Sequence, residues 1–187
     1  MEYQAIVKNK LSKKRYEHSV RVAETAVKLA AAHGQDQHKA ELAGLLHDYC
    51  KEMPKEEIVK ICVDGDLLTS EYDLLMPQIL HGPAASIALK DEGIVQDTQI
   101  LQAIRFHTTG YPHMDTLAKI IFIADYIEPG RSTPNIDDLM GIALKNIDAC
   151  VVEIIDRTSK YLIGEHRLIH EDMIKLRNEI ISKEELA

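Results

Sequence analysis

The sequence predicts an all-α fold, one compact helical bundle. Apolar residues recur with a helical period almost throughout, no run alternates apolar with polar residues, and Gly, Pro and Asp stand where helix ends are needed. With 187 residues the chain can bury a real core. No internal repeat or long linker divides it. The span 1–187 therefore reads as one domain, with a core over about residues 10–130 and C-terminal helices over about 135–182 packed on it.

The elements follow in order. A first helix runs from about Lys13 to His33 and stops at Gly34, a residue suited to the left-handed C-cap. A second spans about Gln37 to Asp48. Pro54 opens a third, which lasts to about Cys62. Asp64-Gly65-Asp66 forms a turn. A fourth helix starts near Ile79 and ends before Gly93. Asp97 caps a fifth that reaches His107, and Thr108 to Pro112 is a loop. Asp115 caps a sixth that ends near Ile127. A Pro/Gly-rich loop, Pro129 to Pro134, leads to a long helix from about Asn135 to Leu162. A last helix covers about Glu171 to Ile181.

Composition removes several function classes. The chain has no run of 18 apolar residues and so no expected membrane span. Its first residues lack the layout of a signal peptide, and a cytoplasmic location is expected. Cys50, Cys62 and Cys150 are scattered and form no CxxC pair, so neither a disulfide framework nor a cysteine-ligated zinc site is indicated. A net charge of −8 with no basic face argues against nucleic acid as a partner. A phosphorylated small molecule remains compatible, provided a few cations and a metal are focused in one cleft. Homodimers are common among helical enzymes of this size.

The informative residues are polar groups on stripes that should be buried. His18 aligns with Val22, Thr25, Ala26 and Leu29. His47 follows Ala40, Ala43 and Gly44, with Asp48 next. His107 lies on the stripe of Ile100, Ala103 and Ile104, and Asp125 on that of Leu117, Ala118 and Ile121. A lone inward histidine is commonly a hydrogen-bonded core residue, and a lone inward aspartate a helix–helix partner. Four helices each supplying such a group point instead to a shared divalent metal, because a cation removes the cost of burying carboxylates. Two adjacent ligands, His47 and Asp48, can converge only where the helix ends or distorts. Imidazole and carboxylate together suit iron, manganese, zinc or nickel.

The ordered set His18, His47-Asp48 and Asp125 resembles the H…HD…D pattern of the HD-domain phosphohydrolase superfamily. The surrounding residues resemble its YqeK family: Arg15-Tyr16-Glu17-His18-Ser19, Leu45 to Lys51, Ile79 to Pro83, His107 to Gly110, Ala124 to Arg131, Ile169-His170 and Arg177-Asn178. The resemblance extends from about residue 10 to 182. Cys50 departs from the smaller residue common there. The resemblance implies an iron-containing hydrolase that cleaves diadenosine tetraphosphate symmetrically into two ADP. His18, His47, Asp48 and Asp125 take the metal-ligand positions, and His81 and His107 match histidines that hold a second metal or grip phosphate.

A hydrolase of phosphoanhydrides must neutralise phosphate charge and supply a nucleophile at neutral pH, and hydroxide generated at a metal does both. Asp48, His47 and Lys51 form the expected catalytic group, with Asp48 as the bridging ligand for one or two ions. Lys51 and Arg131 are expected to bind phosphate, the first as a point charge and the second bidentately. Thr108 is a further expected substrate contact. Among the remaining histidines, His170 is the one counted with the substrate contacts. The same ligands serve nucleotidases and guanosine polyphosphate hydrolases of the superfamily, so the metal pattern leaves these open. A metal-binding nucleotide sensor is the non-enzymatic alternative.

Overall fold

A computed structural model describes residues 2–132 and 134–185. Thr133, read from the sequence as part of a loop, and the two ends of the 1–187 span lie outside the described residues. Ten α-helices and no strand occur among the described residues: α1 Glu2–Lys10, α2 Lys13–Ala32, α3 Gln37–Leu46, α4 Lys55–Asp64, α5 His81–Asp91, α6 Thr98–Arg105, α7 Thr116–Ile127, α8 Ile136–Ala143, α9 Ile147–Gly164 and α10 Glu171–Glu185.

Helix α7 organises the rest. Leu117, Ala118, Ile120, Ile121, Phe122, Ile123, Ala124 and Ile127 are all buried. A helix apolar on nearly every side belongs at the centre of a bundle, and α7 packs against α2, α3, α6, α8 and α9. Helix α10 packs on α9. The caps expected from the sequence are present. Asp97 accepts from the N–H groups of Gln99 and Ile100, and Asp115 from that of Ala118. Ser12 and Asp36 perform the same task for α2 and α3.

Besides the earlier ends of α3 and α6, three sequence expectations change. Helix α1 was not foreseen. Its apolar content is only Tyr3, Ala5, Ile6 and Val7, yet Val7 is fully buried and the helix lies against α3. The single long helix over 135–162 is two, because Asn146 turns its side chain to cap α9 at the Ala149 N–H. The helix expected to begin near Ile79 starts at His81, preceded by a short 3₁₀ turn over Pro77–Ile79.

The pairing of α2 with α3 depends on Gly44. A Cβ there would lie 2.8 Å from Ala23 Cα and 3.0 Å from Ala23 N, both backbone atoms that cannot swing aside. This close approach brings His18 of α2 beside the end of α3. Gly44→Ala is expected to destabilise the fold by about 1–3 kcal/mol, the usual penalty for overpacking. Equilibrium urea unfolding measures it, and an unchanged midpoint contradicts the close-packing account.

Candidate metal centre

Helix α3 ends at Leu46, two residues earlier than its sequence pattern suggested. The following turns are tight, with Tyr49 N–H donating to Leu46 O, Lys51 N–H to Asp48 O, and Met53 N–H to Cys50 O. This change of path turns His47 and Asp48 inward together. Helix α6 likewise stops at Arg105, so His107 lies just beyond its end, while His81 opens α5. Gly82 permits the meeting of these two helix ends. A Cβ at Gly82 would come within 2.9 Å of both the Ile104 and Arg105 carbonyl oxygens.

Four imidazoles now face one carboxylate. His81 Nε2 lies 3.0 Å from Asp48 Oδ1 and His107 Nε2 3.9 Å from it. On the other oxygen, Asp48 Oδ2, His47 Nε2 stands at 3.4 Å and His18 Nε2 at 3.6 Å. Asp125 Oδ1 closes the cluster, 3.1 Å from His18 Nε2 and 3.7 Å from His47 Nε2. Asp48 and all four histidines are buried, and Asp125 is partly exposed.

The opposite ring nitrogens fix the protonation pattern. Nδ1–H of His47 donates to Gly44 O at 2.7 Å, that of His81 to Gln78 O at 2.9 Å, and that of His107 to Ile104 O at 2.8 Å. Carbonyls only accept, so each Nδ1 carries a proton and each ring turns its Nε2 inward. His18 obeys the same rule through Glu128 Oε1 at 3.1 Å. The Nε2 atoms of His81 and His107 are 3.0 Å apart, and those of His18 and His47 3.3 Å. Ring nitrogens at these separations, beside two carboxylates, are favoured by positive charge among them, a proton on His47 or a metal ion in its place. The donor set therefore fits a divalent transition metal. His18, His47 and Asp125 form one grouping able to hold an ion, and His47, Asp48 and His107 another.

The titration behaviour has the same cause. Burial opposes charge on His47, but Asp48 and Asp125 override it and push its pKa up to about 10. Burial likewise opposes ionisation of Asp48 and Asp125. The neighbouring histidines, with Arg131 beside Asp125, still hold both well below the usual carboxylate range. Burial depresses His81 and His107, which stay neutral.

A cleft of about 300 Å³ opens beside His18, and Lys14, Arg15, Arg21 and Arg131 are among its lining residues. This focuses positive charge in a chain of net charge −8. Arg15 donates to Asp48 Oδ2 at 2.8 Å. Arg131 donates from Nε to the Asp125 carbonyl at 2.9 Å and pairs through Nη2 with its carboxylate. Lys51 Nζ lies 3.3 Å from His81 Nε2. Thr108 Oγ1 donates to Ile79 O at 3.4 Å, just before His81.

His170 is the one expected site residue that joins a different cluster. Its Nε2 pairs with buried Asp73 at 3.0 Å and its Nδ1 accepts from Asp172 N–H. Asp73 also accepts from the N–H groups of Thr69 and Ser70, so this pair ties the segment after α4 to the start of α10. Arg15, Arg21 and Glu128 were missed from the sequence. Arg15 and Arg21 lie three residues either side of His18, one helical turn away, and that spacing was visible.

Converging imidazoles and carboxylates at helix ends define a helical protein with a divalent metal centre. The HD domain profile matches residues 15–130, and the chain belongs to the HD domain family, in its YqeK branch. The chain is 41% identical to a Staphylococcus aureus protein over 177 residues, covering 92% of this chain and 90% of the relative. It is 36% identical to a Bacillus subtilis protein over 178 residues, covering 95% of each. Both relatives are named symmetrical bis(5'-nucleosyl)-tetraphosphatase. A crystal structure from Clostridium acetobutylicum, described as a "predicted HD superfamily hydrolase involved in NAD metabolism", superposes with a TM-score of 0.93 at 39% identity. The match covers 97% of this chain and 96% of that one.

His47 gives the centre a pH signature. A pKa raised from about 6.5 in the unfolded chain means that the folded state keeps a proton the unfolded state releases. That stability is full below about 6.5 and is lost as pH rises through about 10. Chelator-treated protein should therefore melt at lower temperature as pH rises from about 6.5 to 8, before the thiols titrate. Metal-loaded protein should show the opposite trend, because metal binding needs neutral imidazoles. A flat profile for the chelated protein contradicts this charge arrangement.

Proposed function

We propose that this chain is a symmetrical dinucleoside tetraphosphate hydrolase that converts diadenosine tetraphosphate into two ADP. The observation that carries the reading is a cation-lined cleft opening onto a buried His/Asp cluster in a chain whose relatives bear that enzyme's name. His18, His47, Asp48 and Asp125 would hold the metal. His81 and His107 would hold a second ion or grip phosphate. Iron is the proposed ion, with manganese or another transition metal able to occupy the same donors. A cytoplasmic setting belongs to the same reading.

A divalent metal bound there polarises a phosphoryl oxygen and makes a hydroxide nucleophile available at neutral pH. The chain's own residues supply the remainder. Asp48 presents its two oxygens to opposite sides of the cluster, which suits a bridging ligand. Lys51 sits beside His81 and faces the same carboxylate, so its ammonium can neutralise charge on a phosphate held there. Arg131 engages Asp125 through Nε and Nη2, and its planar guanidinium can offer further donors to a phosphate oxygen. Thr108 lies in the turn after His107, its hydroxyl donates to Ile79 O of the His81 segment, and it stays within the proposed substrate contacts. His170, which these contacts were expected to include, would act by fixing the Asp73 segment that leads toward His81. Burial of the imidazoles and of Asp48 strengthens the electrostatic contacts made at them.

Product analysis decides the reading. Iron- or manganese-reconstituted protein given diadenosine tetraphosphate is expected to yield ADP alone. ATP with AMP, or free phosphate, contradicts symmetrical cleavage. Asp48→Asn is expected to lose stoichiometric metal and turnover together. Lys51→Ala should keep its metal and lose roughly 10–100-fold in kcat/KM, the equivalent of one charge-assisted contact. Full activity in Lys51→Ala removes that residue from the phosphate site.

A further inference from the structure

We propose that Glu128 is a positioning residue: it fixes the proton of His18 on Nδ1 and clamps the turn that leads to Arg131. The inference rests on reading the His/Asp cluster as a metal centre.

His47, His81 and His107 each stand at a helix end and donate Nδ1–H to the carbonyl three residues earlier. Those carbonyls are free to accept a side chain because the regular ladder has stopped or not yet begun. His18 is the sixth residue of α2, inside a 20-residue helix. There the carbonyl three residues back is committed to the helical ladder. His18 needs an acceptor from outside its own helix, and Glu128 provides one.

Glu128 is suited to this by its own surroundings. It follows the last residue of α7 and is 1% exposed. Its Oε1 accepts from His18 at 3.1 Å and from Arg21 Nη2 at 3.4 Å. Its Oε2 accepts from Arg21 Nε and from Gly130 N–H at 2.6 Å. Every strong acceptor direction of the carboxylate is used, and Arg21 balances its charge. Such a side chain has no freedom to move and transmits position. It joins α2, which carries His18, to the turn 128–131, in which Arg131 N–H donates to Glu128 O. Metal-bound histidines generally lean on an outer carboxylate or carbonyl that sets the tautomer, and losing it weakens metal binding by about 10–100-fold. Here a single carboxylate would set both the ligand and the approach of the guanidinium.

The test pairs Glu128→Gln with the wild type. Glutamine keeps the shape, but its amide N–H₂ would face the Arg21 or Gly130 donors, or His18 itself. Zinc(II) affinity is measured by chelator competition, and the imidazole tautomers by ¹⁵N NMR of histidine-labelled protein. The His18 signals are assigned by their loss in His18→Gln. The expected result is His18 protonated on Nδ1 in the wild type and a zinc Kd about 10–100-fold weaker in the variant. Equal zinc affinity in a folded Glu128→Gln protein overturns the proposal. So does a wild-type His18 protonated on Nε2, a result that stands even where the variant does not fold. Wild-type protein that takes up no stoichiometric zinc defeats the metal-centre reading instead, and the His18 tautomer then decides the role of Glu128 by itself.

Discussion

The structure depends on one electrostatic constraint: four imidazole Nε2 atoms and the carboxylates of Asp48 and Asp125 are packed against one another. His18, His47, His81 and His107 all commit Nδ1–H to an acceptor behind them and point Nε2 at Asp48. Such a cluster is costly in an apolar interior unless positive charge enters it. The proton retained on His47 and the guanidinium groups of Arg15 and Arg131 supply part of that charge. A divalent metal supplies it with better geometry, which ties the stability of the fold to occupation of the site.

The helical framework serves this constraint through its ends. Three of the four imidazoles sit where a helix begins or stops, because only there are backbone carbonyls available to set the ring tautomer. The close approaches at Gly44 and Gly82 bring those ends together. Helix α7 is buried on nearly all sides and carries Asp125 near its last turn, so the carboxylate is presented from a central helix of the bundle. Arg15 and Arg21 lie one turn either side of His18 on the cleft wall. His18 and these two cations therefore share one helix.

Much of this was legible in the sequence because burial and helical period identify misplaced charge. His18, His47, His107 and Asp125 stood on apolar stripes, and the structure brings them to one cluster with Asp48 and His81. Asp97 and Asp115 were readable as caps for the same local reason. Other features lacked a local signal. Helix α1 offers few apolar residues and gains its stability from packing against α3. Asn146 breaks the long apolar pattern by a side-chain cap whose strength depends on how α8 and α9 pack. Glu128 continues the stripe of Leu117, Ile121 and Ala124 but falls one residue past the expected helix end near Ile127, and its partners appear only when α2 and α7 meet. His170 shows the opposite case, a histidine placed by resemblance with the substrate contacts that pairs instead with Asp73, an aspartate in a short turn with no periodic signal.

The central claim is that the inward lone pairs and carboxylates share a metal ion. Anomalous diffraction from crystals grown with manganese tests it most directly. The account predicts a peak enclosed by Nε2 of His18 and His47 and the carboxylate oxygens of Asp48 and Asp125. Manganese bound elsewhere, with these four side chains making only hydrogen bonds to one another, would contradict it.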